Sequence, residues 1–276
     1  MTSAAGLEYD IISSRENGDY RFLEKYNIER KVTDIVIAGG DGTVSQVIGS
    51  RPVTDLNFGI IPCGSGNGLA LAARIPRDPE KALRLVLDGH TQKTDGFLVN
   101  NRFACMLCGL GFDAQVAHDF AHQSKRGLYT YVRQVLKNFF SARTSHFDVI
   151  IDDKVLHTDA FFISVANSNQ FGNHFTIAPR ASLDDGLLDV VIVTGQNKLS
   201  LLWQTYRQIR GINKLQRTAV IEQRRGVIYF QATSLRIINH DKAPLHIDGD
   251  PAITTGVLDF SILRHHFNLY KPKATQ

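Results

Sequence analysis

Five consecutive residues, Gly39-Gly40-Asp41-Gly42-Thr43, set three glycines, an acid and a hydroxyl at one turn. They lie between a buried-type apolar run, Asp34 to Ala38, and Val44, Val47 and Ile48 at helical spacing. Backbone without side chains lets amide N–H groups approach a polyphosphate closely, and the N-terminus of the following helix adds a favourable dipole. An acid facing phosphates is repelled unless a cation or a substrate hydroxyl lies between. Asp41 therefore points to Mg²⁺ or to proton transfer. The purely structural alternative is a tight turn with Asp41 as a helix cap. The device recurs in the next unit, where Gly64-Ser65-Gly66-Asn67-Gly68 follows the strand-like run Phe58 to Ile61. Adjacent turns at the carboxyl edge of a parallel sheet open on one crevice, which favours a nucleotide. No lysine follows the glycines as in a Walker A loop, and the spacing is not G-x-G-x-x-G. Phosphates there must be neutralised by metal and backbone.

Two further acidic turns come later. Asp184-Asp185-Gly186 precedes an apolar run, and Asp248-Gly249-Asp250-Pro251 follows Leu245 to Ile247. Each is first a good turn, and each is a functional candidate because phosphoryl transfer needs carboxylates to hold metal and take the substrate proton.

The elements that position these residues fall into two textures. Up to about residue 92, apolar runs alternate with helical patterns: a strand over Leu7 to Ser13, a helix over Asp19 to Tyr26, then the two glycine-turn units, the second with a helix over Leu69 to Arg74. Asp78 as N-cap with Pro79 opens a helix through Leu87, closed by Gly89. From there short strands dominate: Phe97 to Val99, Arg102 to Leu107, Phe147 to Ile151, Val155 to Thr158, Ala160 to Ala166, Leu187 to Val193 and Leu258 to Leu263. Asn100-Asn101 and Asp152-Asp153 are turn dipeptides, and helices are expected over Leu128 to Phe140 and Leu199 to Leu215. The expectation is an α/β nucleotide-binding domain with a parallel sheet (1–92), then a mostly antiparallel β-sandwich domain (93–276) whose C-terminal tail packs back on the first.

The 276 residues, 43% hydrophobic and 21% charged, are sufficient for a substantial core. No apolar run reaches about eighteen residues and the start lacks signal-peptide order. The chain is thus expected to be cytoplasmic or peripheral to a membrane. Its charge of +4 is dispersed, which argues against a nucleic-acid partner. The densest basic stretch, Lys125-Arg126 with Arg207, Arg210, Lys214, Arg217, Arg224 and Arg225, reads as a solvated face or weak attraction to an anionic leaflet. Cys105 and Cys108 sit in strand-like sequence, where side chains three apart face opposite ways, against redox or metal work. His118 and His122 are four apart, but no third zinc ligand stands out beside them.

The ordered set GGDGT (Gly39 to Thr43), PCGSGN (Pro62 to Asn67), APRASLDDGLLDV (Ala178 to Val190) and IDGDP (Ile247 to Pro251) resembles the diacylglycerol kinase catalytic-domain family, which includes bacterial lipid kinases and sphingosine kinases. GGDGT alone also resembles NAD kinases and phosphofructokinases. The resemblance implies an ATP- and Mg²⁺-dependent lipid kinase whose two domains meet at a cleft, with a lipid substrate presented at a membrane surface and a homodimer as one assembly open to it. It implies that Gly39, Gly40, Asp41, Gly42, Thr43 and Ser45 line the ATP phosphates, and that Gly64, Ser65, Gly66 and Asn67 meet the nucleotide. It implies a metal position at Asp185 with the carbonyls of Ser182 and Leu187. Asp250, Asp248 or Asp41 is then the base. Two departures stand out: relatives begin with a strand ending in Asn-Pro-x-Ser-Gly, which is missing before Leu7, and they usually carry Glu at the place of Asp250. The form PCGSGNGLA is nearer the sphingosine kinase version. Phe103, Met106, Phe112, Phe161, Phe162 and Phe171 are candidates for an acyl-chain pocket or for plain core. The rival readings are an NAD kinase and an inactive nucleotide- or lipid-binding regulator.

Overall fold

The computed structural model describes residues 6–15, 18–50, 56–121, 143–170, 176–195, 198–216 and 226–273. The first part is α1 (Phe22–Arg30), β1 (Asp34–Gly39), α2 (Asp41–Gly49), β2 (Asn57–Pro62), α3 (Gly68–Ala72) and α4 (Pro79–Leu87). Strands β1 and β2 pair in parallel, with Asp34 opposite Asn57 and Gly39 opposite Pro62. Their matched register brings both glycine turns out at the same end of the sheet. Asp78 caps α4 as expected, accepting from the Lys81 N–H at 2.9 Å.

The rest is β3 (Thr91–Val99), β4 (Arg102–Ala104), β5 (Leu107–Gly111), α5 (Phe112–Ala121), β6 (Ser145–Ile151), β7 (Lys154–Ala166), β8 (Leu188–Thr194), α6 (Lys198–Ile209), β9 (Val227–Ala232), β10 (Ser234–Asn239), β11 (Leu245–Ile247), β12 (Asp250–Ala252) and β13 (Val257–Tyr270). These strands pair antiparallel with one another. The α/β part followed by a mostly antiparallel β part is therefore observed. Strand β13 joins the two, pairing with β10 and β3 and, through Asn268 and Leu269, in parallel with β2. One buried cluster spans both parts, from Ile37, Phe58 and Leu69 to Met106, Phe161 and Tyr229. A second, from Phe97 and Phe147 to Phe230 and Phe260, fills the β part alone.

Four expectations are corrected. Leu7 to Ser13 is exposed and forms no strand: a strand needs a neighbour's backbone, and this segment is instead tied to α1 through Asp10, which accepts from the Tyr26 hydroxyl and Arg30. The run Arg102 to Leu107 breaks at Cys105 and Met106, whose N–H groups turn toward a carboxylate. Val155 to Thr158 and Ala160 to Ala166 are one strand with an irregularity after Ala160. Helix α6 stops at Ile209, before Gly211 at φ +66°. Strands β9 and β10 went unanticipated. The helix expected over Leu128 to Phe140 lies outside the described residues, as do Lys125, Arg126, His122, Phe171, Arg217, Arg224 and Arg225. Among the described residues, no helix is long and apolar enough to cross a membrane.

Candidate active site

The two glycine turns touch through bare backbone. A Cβ built on Gly64 would stand 2.6 Å from the Gly40 Cα, and one on Gly40 would stand 3.1 Å from the Gly64 Cα. The Cys63 N–H donates to the Gly39 carbonyl at 3.0 Å, extending the β1–β2 ladder into the turns. The first turn opens α2 with Gly40 as an extended N-cap, so the helix begins without a side-chain cap. The second turn is closed by Asn67, whose side-chain oxygen accepts from Gly64 N–H at 2.8 Å and whose NH₂ donates to Gly64 O at 2.6 Å. Asn67 has φ +52°, a left-handed conformation that Asn tolerates. Both polar ends of its amide thus shape the turn.

Asp41 bridges the turns. Its carboxylate accepts from the Leu69 N–H at 3.4 Å and faces the Gly68 and Asn67 amides, at the start of α3. Burial pushes its pKa up, those amides pull it down, and nearby Asp248 pushes it up again; the net direction is upward.

Asp248 is the hub between the two parts. The hairpin between β11 and β12 turns on Asp248 and Gly249, both at positive φ, +50° and +86°, which is the two-residue turn that Asp-Gly favours. This swings the Asp248 carboxylate inward, where it accepts from Cys105 N–H at 3.0 Å, Met106 N–H at 2.9 Å, Leu107 N–H at 3.0 Å and the Ser45 hydroxyl at 2.6 Å. Ser45, expected at the phosphates, also ties α2 to this hairpin. Asp250, two residues on, is exposed and projects over the first turn: a Cβ on Gly42 would stand 2.8 Å from its Oδ2.

Gly42, Ser45, Asp248 and Asp250 line one cavity of about 280 Å³, with Arg21 and Arg102 on its walls. The cavity sets two arginines against three acids, Asp19, Asp248 and Asp250; the bare backbone of the two touching turns beside it, at the N-terminus of α2, is the part that suits a polyphosphate. Neither arginine stands near the glycine motifs in sequence, and Arg21 is already paired with Asp19 at 2.7 Å.

The third acidic turn belongs to a second group. The buried Asp95 carboxylate accepts from Gly186 N–H at 2.7 Å and His265 N–H at 2.6 Å, while Asp185 accepts from Leu187 N–H at 3.0 Å. The Ser182 hydroxyl donates to Asp184 at 2.6 Å. Burial, then Asp95 and Asp184, push the Asp185 pKa up against the Leu187 amide. Burial depresses the Lys271 pKa against the pull of Asp184 and Asp95, and Arg264 packs over Gly186. Crowded, partly desolvated carboxylates of this kind fit a hard, oxygen-liganded cation such as Mg²⁺. Asp95 gave no signal in sequence, being a single acid in strand β3. Asn167 connects the groups, donating to the carbonyls of Asp95 at 2.9 Å and Cys105 at 3.1 Å.

Cys105 and Cys108 are buried in different clusters, and burial raises both thiol pKa values well above their usual range. Met106, Phe161 and Phe162 are core residues, Phe112 packs against that core, and Phe103 packs against it while also lining the cavity.

Residues 1–99 match the diacylglycerol kinase catalytic domain, and residues 107–263 match the YegS C-terminal NAD kinase beta sandwich-like domain. The chain is 27% identical to a diacylglycerol kinase of Bacillus subtilis over 276 residues, covering 98% of this chain and 88% of that protein. It is 26% identical to a diacylglycerol kinase of Staphylococcus epidermidis over 282 residues, covering 98% and 84%. A solved diacylglycerol kinase structure from Bacillus anthracis superimposes with a TM-score of 0.73 at 20% identity, covering 99% of this chain and 89% of that one. With the two glycine turns, the acid-centred hairpin and the β part all in place, the chain belongs to the lipid kinase family that joins a diacylglycerol kinase catalytic domain to a YegS-type β-sandwich domain.

Proposed function

We propose that this chain transfers the terminal phosphoryl group of ATP to a hydroxyl of a diacylglycerol-like or sphingoid lipid, at the cavity between the first glycine turn and the Asp248–Asp250 hairpin. The observation that carries the reading is the exposed Asp250 carboxylate standing over Gly42, where the approach is open only because Gly42 lacks a Cβ. The amides of Gly39 to Thr43 and Gly64 to Gly66 would hold the phosphates, next to the cavity that Gly42, Arg21 and Arg102 line. When bound, ATP with Mg²⁺ supplies the phosphoryl group and neutralises its charge, and Asp185 with the Ser182 and Leu187 carbonyls would hold metal.

Asp250 takes the hydroxyl proton as the lipid oxygen bonds to phosphorus and the bridging oxygen leaves. Asp248 is a positioning residue: three amides, a hydroxyl and the Cys105 thiol converge on its two oxygens, so it has no place for a substrate proton and instead anchors the hairpin that carries Asp250. Asp41 holds the two turns together through the start of α3. The membrane-surface reading is supported by α6 and its C-terminal extension, where Trp203 and Tyr206 stack at 5.8 Å and stand 59% and 50% exposed beside Arg207 and Arg210. Such amphipathic rings with basic neighbours suit an anionic lipid surface.

The test supplies the chain with γ-labelled ATP and Mg²⁺ together with diacylglycerol, a sphingoid base or NAD. Label is expected in a lipid. Label in NAD with none in any lipid would favour the NAD kinase reading, and calorimetric ATP binding with no transfer would favour the inactive regulator.

A further inference from the structure

The outward face of the β part carries a histidine–aspartate cluster that the phosphoryl-transfer reading does not use. On β6 and β7, Asp148 lies directly opposite His157, and His146 opposite Asp159. Strand β10 pairs with β6 on the other side, and the next residue, His240, donates its N–H to the His146 carbonyl at 3.2 Å. Three strands therefore hold the group, with Asp241 accepting from the His146 N–H at 2.7 Å.

We propose that His146, Asp148 and His240 form a surface site for a divalent transition-metal ion of the zinc class. One ligand atom from each lies within 4.8 Å of the others. His240 Nε2 is 2.9 Å from Asp148 Oδ2, and His146 Nε2 is 4.0 Å from Asp148 Oδ1. Ligands around tetrahedral Zn²⁺, at bond lengths near 2.0–2.1 Å, stand about 3.3 Å apart, so small side-chain movements close the set. Two imidazoles and one carboxylate select zinc-like ions over Mg²⁺, which takes oxygen ligands.

The surroundings are those of a ligand set. His146 Nδ1 is 3.1 Å from Asp159 Oδ1. Donation there fixes the tautomer that leaves the Nε2 lone pair toward Asp148, the carboxylate–histidine arrangement that orients metal ligands. His157 Nδ1, 2.6 Å from Asp148 Oδ1, holds the carboxylate in place. The Asp148 side chain is only 14% exposed, whereas His146 and His240 are 48% and 42% exposed, which leaves the metal position open to solvent and to a water ligand.

Isothermal titration of the full, metal-stripped chain with Zn²⁺ tests this, with Mg²⁺ as the contrast, on wild type, Asp148→Asn and the double variant His146→Ala/His240→Ala. One Zn²⁺ per chain is expected in the wild type, weakened about tenfold or more in each variant. Co²⁺ should give intense tetrahedral d–d bands in the wild type that the double variant lacks. Thermal melts in chelator should be unchanged, since both altered histidines are exposed. No Zn²⁺ uptake by the wild type, or uptake of unchanged affinity by the double variant, overturns the site.

Discussion

Two groups of carboxylates in this chain manage charge in opposite ways. Around the cleft, Asp248 is surrounded by donors: three backbone amides and a hydroxyl converge on it from residues more than 140 positions away. At the other group, Asp95, Asp184 and Asp185 crowd together, and burial raises the Asp185 pKa. The first arrangement is complete in itself, and its acid is part of the frame. The second sets three carboxylates side by side, and despite their amide and hydroxyl donors and the nearby Lys271 and Arg264 the Asp185 pKa stays raised, a position a bound cation would suit. Residue type alone does not distinguish frame from site; the supply of donors does.

The comparison breaks most visibly at the two acids of one hairpin. Asp250→Asn is expected to lower turnover roughly 10²–10⁴-fold, as loss of a general base does. Its denaturant stability should stay within about 0.5 kcal/mol of wild type, because the residue is exposed. Asp248→Asn should do the reverse in stability, costing about 1–3 kcal/mol by setting an amide NH₂ against a buried backbone donor. Equal melting of the two variants would erase the distinction between base and frame.

A smaller effect is expected at the second group. Asp185→Asn should raise the Mg²⁺ concentration for half-maximal activity by about tenfold. It should not lower stability without Mg²⁺, because burial already penalises the ionised form of Asp185. A destabilised Asp185→Asn protein would place this acid in the frame with Asp248.

The smallest effect is a pH slope. Asp189 is buried, and burial, opposed by its hydrogen bonds from Gln231 and Tyr229, raises its pKa to about 6. The folded chain then keeps a proton that the unfolded chain releases near pH 4. Its contribution to stability is full below that value and is lost as pH rises through about 6. Urea midpoints measured from pH 4 to 7 should show this loss, and Asp189→Asn should flatten it.

Much of the first part was legible in sequence because its signals are local. Glycine turns after DIVIA and NFGIIP and Asp78 before Pro79 depend on residues a few positions apart, as does the Asn100-Asn101 turn of the β part, at φ +47° and +67°. Two of the misreadings share a cause. Leu7 to Ser13 has strand-like residues but no strand partner among the described residues, and Arg102 to Leu107 looks continuous because the carboxylate that bends it is 141 to 143 residues distant. The histidine cluster escaped notice for the same reason, since His146, His157 and His240 have no motif spacing.

The sequence by itself determined where the backbone turns and goes bare, since glycine, proline, asparagine and aspartate act on their own φ and ψ. Tertiary structure alone decided which acid is enclosed by donors, which stands over Gly42 and which crowd together, because hydrogen-bond partners are assigned by strand register across the whole chain.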